Sequence, residues 1–77
     1  MPLDRREASI LLKAGQPRFD LDIPYKPSFI AELKHIIPKE HRAWNPATKR
    51  WEVDRVHLEL VKKTLAEFFE YTQEVLV

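Results

Sequence analysis

Two tryptophans and several cations within residues 42–53 are the side chains best suited to bind a ligand. Trp44 and Trp51 flank a predicted turn, because the Asn45 side chain can bond its own backbone and Pro46 presets φ for a type I turn. A four-residue loop at 46–49 would place the two indoles opposite each other on one hairpin face. An exposed indole can stack on an unpaired base, and a nearby cation can contact phosphate.

Basic residues are concentrated in the same region, although the whole chain carries a net charge of only +1. Residues 34–55 contain six Lys and Arg against three carboxylates, whereas residues 56–77 contain two against four. An ordinary solvated loop region would also fit this pattern. As a functional interpretation, we expect a cationic ridge on phosphates, formed by Lys34, Lys39, Arg42, Lys49, Arg50 and Arg55. Trp44 or Tyr25 would add stacking, while Trp51, which aligns with Val53, is expected in the core.

Other groups suggest no catalysis. Four carboxylates could in principle hold Mg²⁺: Asp20, Asp22, Glu52 and Asp54. Pairing of these carboxylates with the cations Lys13, Arg18 and Arg50 is favoured over metal binding. The same carboxylates would repel phosphate. The three histidines lack metal-site spacing, the chain has no cysteine, and one glycine cannot build a phosphate-binding loop. We therefore predict no enzyme activity, no cofactor and no metal.

The elements that position these residues follow from hydrophobic periodicity. Apolar runs at 9–13 and 18–23 predict two strands, and a helix is expected to begin at Pro27 and stop before Pro38. After the hairpin, Asp54 could cap a second helix whose apolar stripe runs nearly to the C-terminus through Thr72 and Leu76. The predicted fold is therefore α+β, a two-layer ββαββα arrangement with a four-stranded sheet and both helices packed on one face.

Length and the absence of long apolar segments indicate one domain without a membrane span. With 77 residues, we expect a frayed N-terminus at 1–7 and a single domain at 8–77. No apolar run approaches the roughly 20 residues that a membrane-spanning helix requires. The first residues lack the apolar segment of a signal peptide, which favours an intracellular location.

Three motifs precede the terminal helix: Phe19-x-x-x-Ile23-x-Tyr25, Phe29-Ile30-x-x-Leu33-Lys34 and Arg42-x-Trp44-Asn45-Pro46-x-Thr48-Lys49-x-Trp51-x-Val53. Together with that helix they resemble, over about residues 18–69, the HARP domain, an accessory module of annealing helicases. The resemblance implies recognition of forked or single-stranded DNA beside a helicase or ATPase motor in cis or in trans. A protein-interaction module or homodimer, formed through the apolar end of the C-terminal helix, is the alternative.

Overall fold

The computed structural model describes residues 7–76, which form five strands and two α-helices in the order ββαββαβ. Two short 3-10 helices, Lys39–His41 and Arg55–His57, lie before the third strand and the second α-helix. The main elements are β1 (Glu7–Leu12), β2 (Arg18–Asp22), α1 (Pro27–Ile36), β3 (Arg42–Asn45), β4 (Arg50–Asp54), α2 (Leu58–Phe68) and β5 (Tyr71–Leu76).

The strands form one mixed sheet in the order β3-β4-β2-β1-β5. Neighbouring strands are antiparallel except β1 and β5, which run parallel. The register places Leu21 opposite both Ile10 and Trp51, and Phe19 opposite Val53. Because directly paired residues point to the same side of a sheet, these apolar side chains form one continuous face.

Both helices contribute to a single core on that apolar face. The side chains that they bury include Phe29 and Leu33 of α1 and Val61 and Leu65 of α2. Phe29 makes edge contacts with Phe68 and Phe69, each with ring centroids 5.6 Å apart. The predicted two-layer α+β class is confirmed, and we call the opposite, helix-free side of the sheet the outer face.

The first helix follows the sequence prediction closely. Pro27 occupies its first turn, where the missing N–H has no intrahelical partner to lose. The helix ends at Ile36, and the N–H of Ile37 still bonds to the Leu33 carbonyl at 3.0 Å. Pro38 then disfavours helical backbone in the residue before it, which explains the extended conformation of Ile37.

The second helix is shorter than predicted. It ends at Phe68, Phe69 takes an extended conformation, and residues 71–76 form β5, so the sheet has five strands rather than four. Thr72 and Leu76, predicted in the helical stripe, are exposed in this strand. The aromatic and β-branched side chains of β5 favour extended backbone, and β1 supplies a pairing edge over six residues.

Two smaller predictions at the element ends are also wrong. Glu7, placed in the frayed terminus, is the first residue of β1; residues 1–6 lie outside the described part. Asp54 makes no capping bond, because its carboxylate accepts from Arg18 Nε at 2.7 Å instead. Within residues 7–76, neither helix has the length and apolar character needed to cross a membrane.

Candidate nucleic-acid interface

The hairpin between β3 and β4 has the predicted register, with Trp44 opposite Trp51. Asn45 Oδ1 accepts hydrogen bonds from the backbone N–H groups of Ala47 at 3.0 Å and Thr48 at 3.4 Å. The N–H of Lys49 closes the loop on the Asn45 carbonyl at 2.7 Å. Lys49 adopts a φ of 57°, in the left-handed region that costs a lysine conformational energy.

The two tryptophans divide the hairpin face between core and solvent. Trp51 is only 8% exposed and belongs to the core, which confirms the sequence interpretation. Trp44 is 49% exposed, and its ring centroid lies 5.6 Å from that of Trp51. Because β3 is an edge strand, one side of the Trp44 indole packs on its neighbour while the rest stays open to solvent.

A groove extends from these rings to the start of α1. Tyr25, in the loop between Pro24 and Pro27, is 82% exposed, and Ile30 of α1 contributes an apolar wall. Two connected depressions of about 270 and 340 Å³ share these rings and Ile30. We call this surface the aromatic groove, formed by Tyr25, Ile30, Lys34, Trp44, Lys49 and Trp51.

Two of the predicted cations belong to the aromatic groove. Lys34 Nζ lies 5.9 Å from the centroid of the Trp51 ring, within the range of a cation–π contact. Lys49 lines the groove from the hairpin loop, beside Trp44 and Tyr25. The structure therefore brings Lys34, Trp44 and Lys49 together, on the helix side of the sheet.

Arg50 lies on the other side of the sheet. Its guanidinium approaches Asp20 at 3.9 Å and Asp22 at 3.8 Å on the outer face. Adjacent residues of a strand point to opposite faces, so the side chain of Arg50 points away from the groove that is lined by Trp51. The predicted ridge is consequently split between two faces.

The remaining three cations lie away from the groove. Arg42 is at the start of β3, opposite Val53, and its Nε donates to the Ile37 carbonyl at 3.0 Å. Lys39 is exposed on the first 3-10 helix. Arg55 follows the far end of β4, about 16 Å along the strand from the hairpin loop, and contacts the Lys13 carbonyl.

The outer face carries the four predicted carboxylates, and ion pairs hold three of them. Asp20 is only 4% exposed, and it contacts Lys13 Nζ at 3.1 Å as well as Arg50. Arg18 pairs with Asp54 at 2.7 Å, while Glu52 accepts from Asn45 Nδ2 at 3.0 Å. The predicted pairing with Lys13, Arg18 and Arg50 is confirmed, because long cationic side chains cover these acids.

Sequence reasoning missed two features of the helix side. It singled out Tyr25 for stacking but did not predict that Tyr25 and Ile30 line the same groove. The sequence signal for this groove was the spacing of Ile30 and Lys34, which are four residues apart and therefore lie on one helix face. It also missed a hydrogen bond of 2.8 Å between His41 Nδ1 and His57 Nε2, which joins the two 3-10 helices. No third histidine or carboxylate within residues 7–76 joins this pair in a cluster that could hold a metal.

Comparison with protein-family models, with curated proteins and with solved structures found no match to this chain. The aromatic groove and the resemblance to the HARP domain are therefore the basis for a functional proposal.

Proposed function

We propose that this chain is a non-catalytic, intracellular DNA-binding module that recognises forks and junctions between single- and double-stranded DNA. It would act beside an ATP-driven motor, in the same polypeptide or in another. The observation that carries this proposal is the placement of two exposed rings and two lysines around one groove on the helix side. The resemblance to the HARP domain supports DNA as the partner.

Stacking supplies the contact with an unpaired base. Trp44 and Tyr25 present open ring surface, and a base stacked on an aromatic side chain contributes about 1–3 kcal/mol with little dependence on its identity. The groove, with depressions of about 270 and 340 Å³, lies near the lower end of the range of about 300–1,000 Å³ that is usual for whole small ligands. It suits a single flat ring, so the proposed ligand unit is one unpaired nucleotide.

Phosphate contacts would orient that nucleotide. Lys34 and Lys49 approach the groove from α1 and from the hairpin loop, so each could contact a phosphate beside the stacked base. Such contacts carry no sequence information, which is why binding should depend on DNA structure rather than on base order.

The charge distribution favours the helix side over the outer face for this role. Asp20, Asp22, Glu52 and Asp54 give the outer face four carboxylates, and three cations neutralise only part of this charge. A nucleic-acid backbone approaching that face would meet net negative charge. The aromatic groove has no carboxylate in its lining.

A binding panel tests the proposal. Fluorescence anisotropy should show tighter binding to forked and single-stranded DNA than to blunt duplex of equal length. Lys34→Ala and Trp44→Ala should each weaken binding to the fork about tenfold, corresponding to a loss of about 1.4 kcal/mol.

The matched control is Lys63→Ala, which removes one exposed cation from α2 outside the groove. It should change affinity less than twofold. Equal losses in Lys34→Ala and Lys63→Ala would show that only net charge matters, and equal affinity for all three DNA forms would also contradict the proposal.

A further inference from the structure

Among residues 7–76, no strand pairs with the outer edge of β5, which lies at the end of the sheet remote from the aromatic groove. β5 pairs with β1 through one edge, and no other described strand pairs with the opposite edge. All six of its residues are exposed. An unpaired edge of this length offers a row of backbone donors and acceptors to another strand.

The two edges of the sheet differ in how they are protected. β3 has only four residues, begins with Arg42 and is followed by Pro46, and a short strand with an adjacent cation and proline discourages strand addition. β5 has six residues without lysine, arginine or proline, and its register with β1 is continuous, without a bulge. Its single charge, on Glu74, is already bound by Lys62 of α2 at 2.8 Å.

The alternation of β5 side chains defines which surfaces a second strand would meet. Gln73 lies on the outer face, where its amide donates to Ser9 Oγ at 3.0 Å, so Tyr71 and Val75 share that face. Glu74 lies on the helix side, with Thr72 and Leu76. Val75 is also opposite the half-buried Leu11 of β1, which begins an apolar row across the outer face.

We propose that β5 pairs antiparallel with β5 of a second copy, joining two sheets into one of ten strands. A two-fold axis perpendicular to the sheet places the outer faces of both copies on the same side of the joined sheet. Odd-numbered residues of β5, which lie on the outer face, must therefore oppose odd-numbered residues of the second copy. With Gln73 opposite its own copy, Tyr71 faces Val75 and Thr72 faces Glu74. The next register towards the C-terminus would oppose Glu74 to Glu74 and bring like charges together.

The pairing of β5 side chains in this register favours a second copy as the occupant. In this register no two carboxylates oppose each other, because each Glu74 faces a threonine and keeps its own Lys62 partner. On the outer face, Tyr71 of the second copy would extend the row formed by Leu11 and Val75, and aromatic pairs with β-branched residues stabilise neighbouring strands. The sequence of β5 thus complements itself.

Single cysteines test this register, since the chain has none of its own. Directly opposed Cα atoms in an antiparallel pair lie about 4.5–5.5 Å apart, within the range that a disulfide spans. Gln73→Cys should therefore form a covalent dimer under mild oxidation. Val75→Cys, on the same face, should not, because its two copies would be about 13 Å apart.

Sedimentation measures the same association without a cross-link. Unmodified protein should dimerise with concentration, and Val75→Lys should weaken the dimer at least tenfold while its melting temperature is maintained. The control Ala43→Lys, which adds the same charge to the outer face of β3, should dimerise normally. The proposal would be overturned by a protein that stays monomeric at all concentrations or by equal cross-linking of both cysteines. It would also be overturned if β5 paired with a strand of an unrelated chain instead of a second copy.

Discussion

Lys49 and Arg50 are adjacent in the chain, but their side chains lie on opposite sides of the sheet. Lys49 lines the aromatic groove, and Arg50 pairs with Asp20 and Asp22 on the outer face. The pair therefore separates a proposed ligand contact from a structural one within two residues.

Substitution of each residue should give opposite results. Lys49→Asn relieves the positive φ, since asparagine tolerates the left-handed region, so the free energy of unfolding should stay constant or rise by up to ~1 kcal/mol while DNA affinity falls. Arg50→Ala removes a partner of the buried Asp20, so it should lower the free energy of unfolding by about 1 kcal/mol and leave DNA affinity unchanged. Urea unfolding and anisotropy measure the two quantities, and a stability loss in Lys49→Asn would contradict this assignment.

The two tryptophans should separate in the same manner. Trp51 is buried, so Trp51→Ala should destabilise the domain by about 3–5 kcal/mol through loss of core packing. Trp44 is half exposed, so Trp44→Ala should cost much less stability, whereas its loss of stacking should weaken binding to single-stranded DNA. Trp44→Phe should retain most of the affinity; complete loss in this variant would refute the stacking role.

At the scale of elements, β5 is held to α2 by the pair of Lys62 and Glu74. The hydrogen bond to Glu74, together with the negative charges of Glu59 and Glu74, raises the pKa of Lys62 above its ordinary value of 10.5. Because the folded pKa is raised, the contribution of the pair is fully present below pH 10.5 and is lost as the pH rises through the folded pKa. Glu74→Gln should lower the pKa of Lys62, measured by NMR titration of its side chain; an unchanged titration would show that the pair does not form.

The elements show which parts of the fold a single sequence could predict. Residues 18–23 alternate strictly and Pro27 starts α1, so local patterns were sufficient there. The end of α2 was not predictable in the same way, because Thr72 and Leu76 continue the helical spacing. What decides their conformation is pairing with β1, more than 60 residues earlier in the chain, and local periodicity does not report such a contact.

The candidate site was predictable only in part for a related reason. The turn chemistry of Asn45 and Pro46 fixed the opposition of Trp44 and Trp51. It did not show that α1 would bring Ile30 and Lys34 to those rings, since that depends on how α1 packs on the sheet.

At the scale of the whole molecule, the number of phosphate contacts shows whether DNA is bound by the two groove lysines alone or by all six cations predicted from sequence. For single-stranded DNA, the logarithm of affinity falls against the logarithm of salt concentration with a slope of about 0.7 per contact. Contacts from Lys34 and Lys49 alone predict a slope of about 1.4, whereas all six cations would give about 4. Anisotropy over a salt series measures this slope, and a value near 4 would show that Arg50 and Arg55 also reach the DNA.

The most direct test of the proposed interface is an NMR titration of the labelled protein with a short single-stranded DNA. The chain has only two tryptophans, so the two indole N–H signals report on the groove without ambiguity. We predict that the indole signal of Trp44 and the amide signals of Tyr25, Lys34 and Lys49 shift on binding, while the amide signals of Asp20 and Asp22 on the outer face do not. Shifts confined to the outer face, or no shifts at saturating DNA, would contradict this prediction.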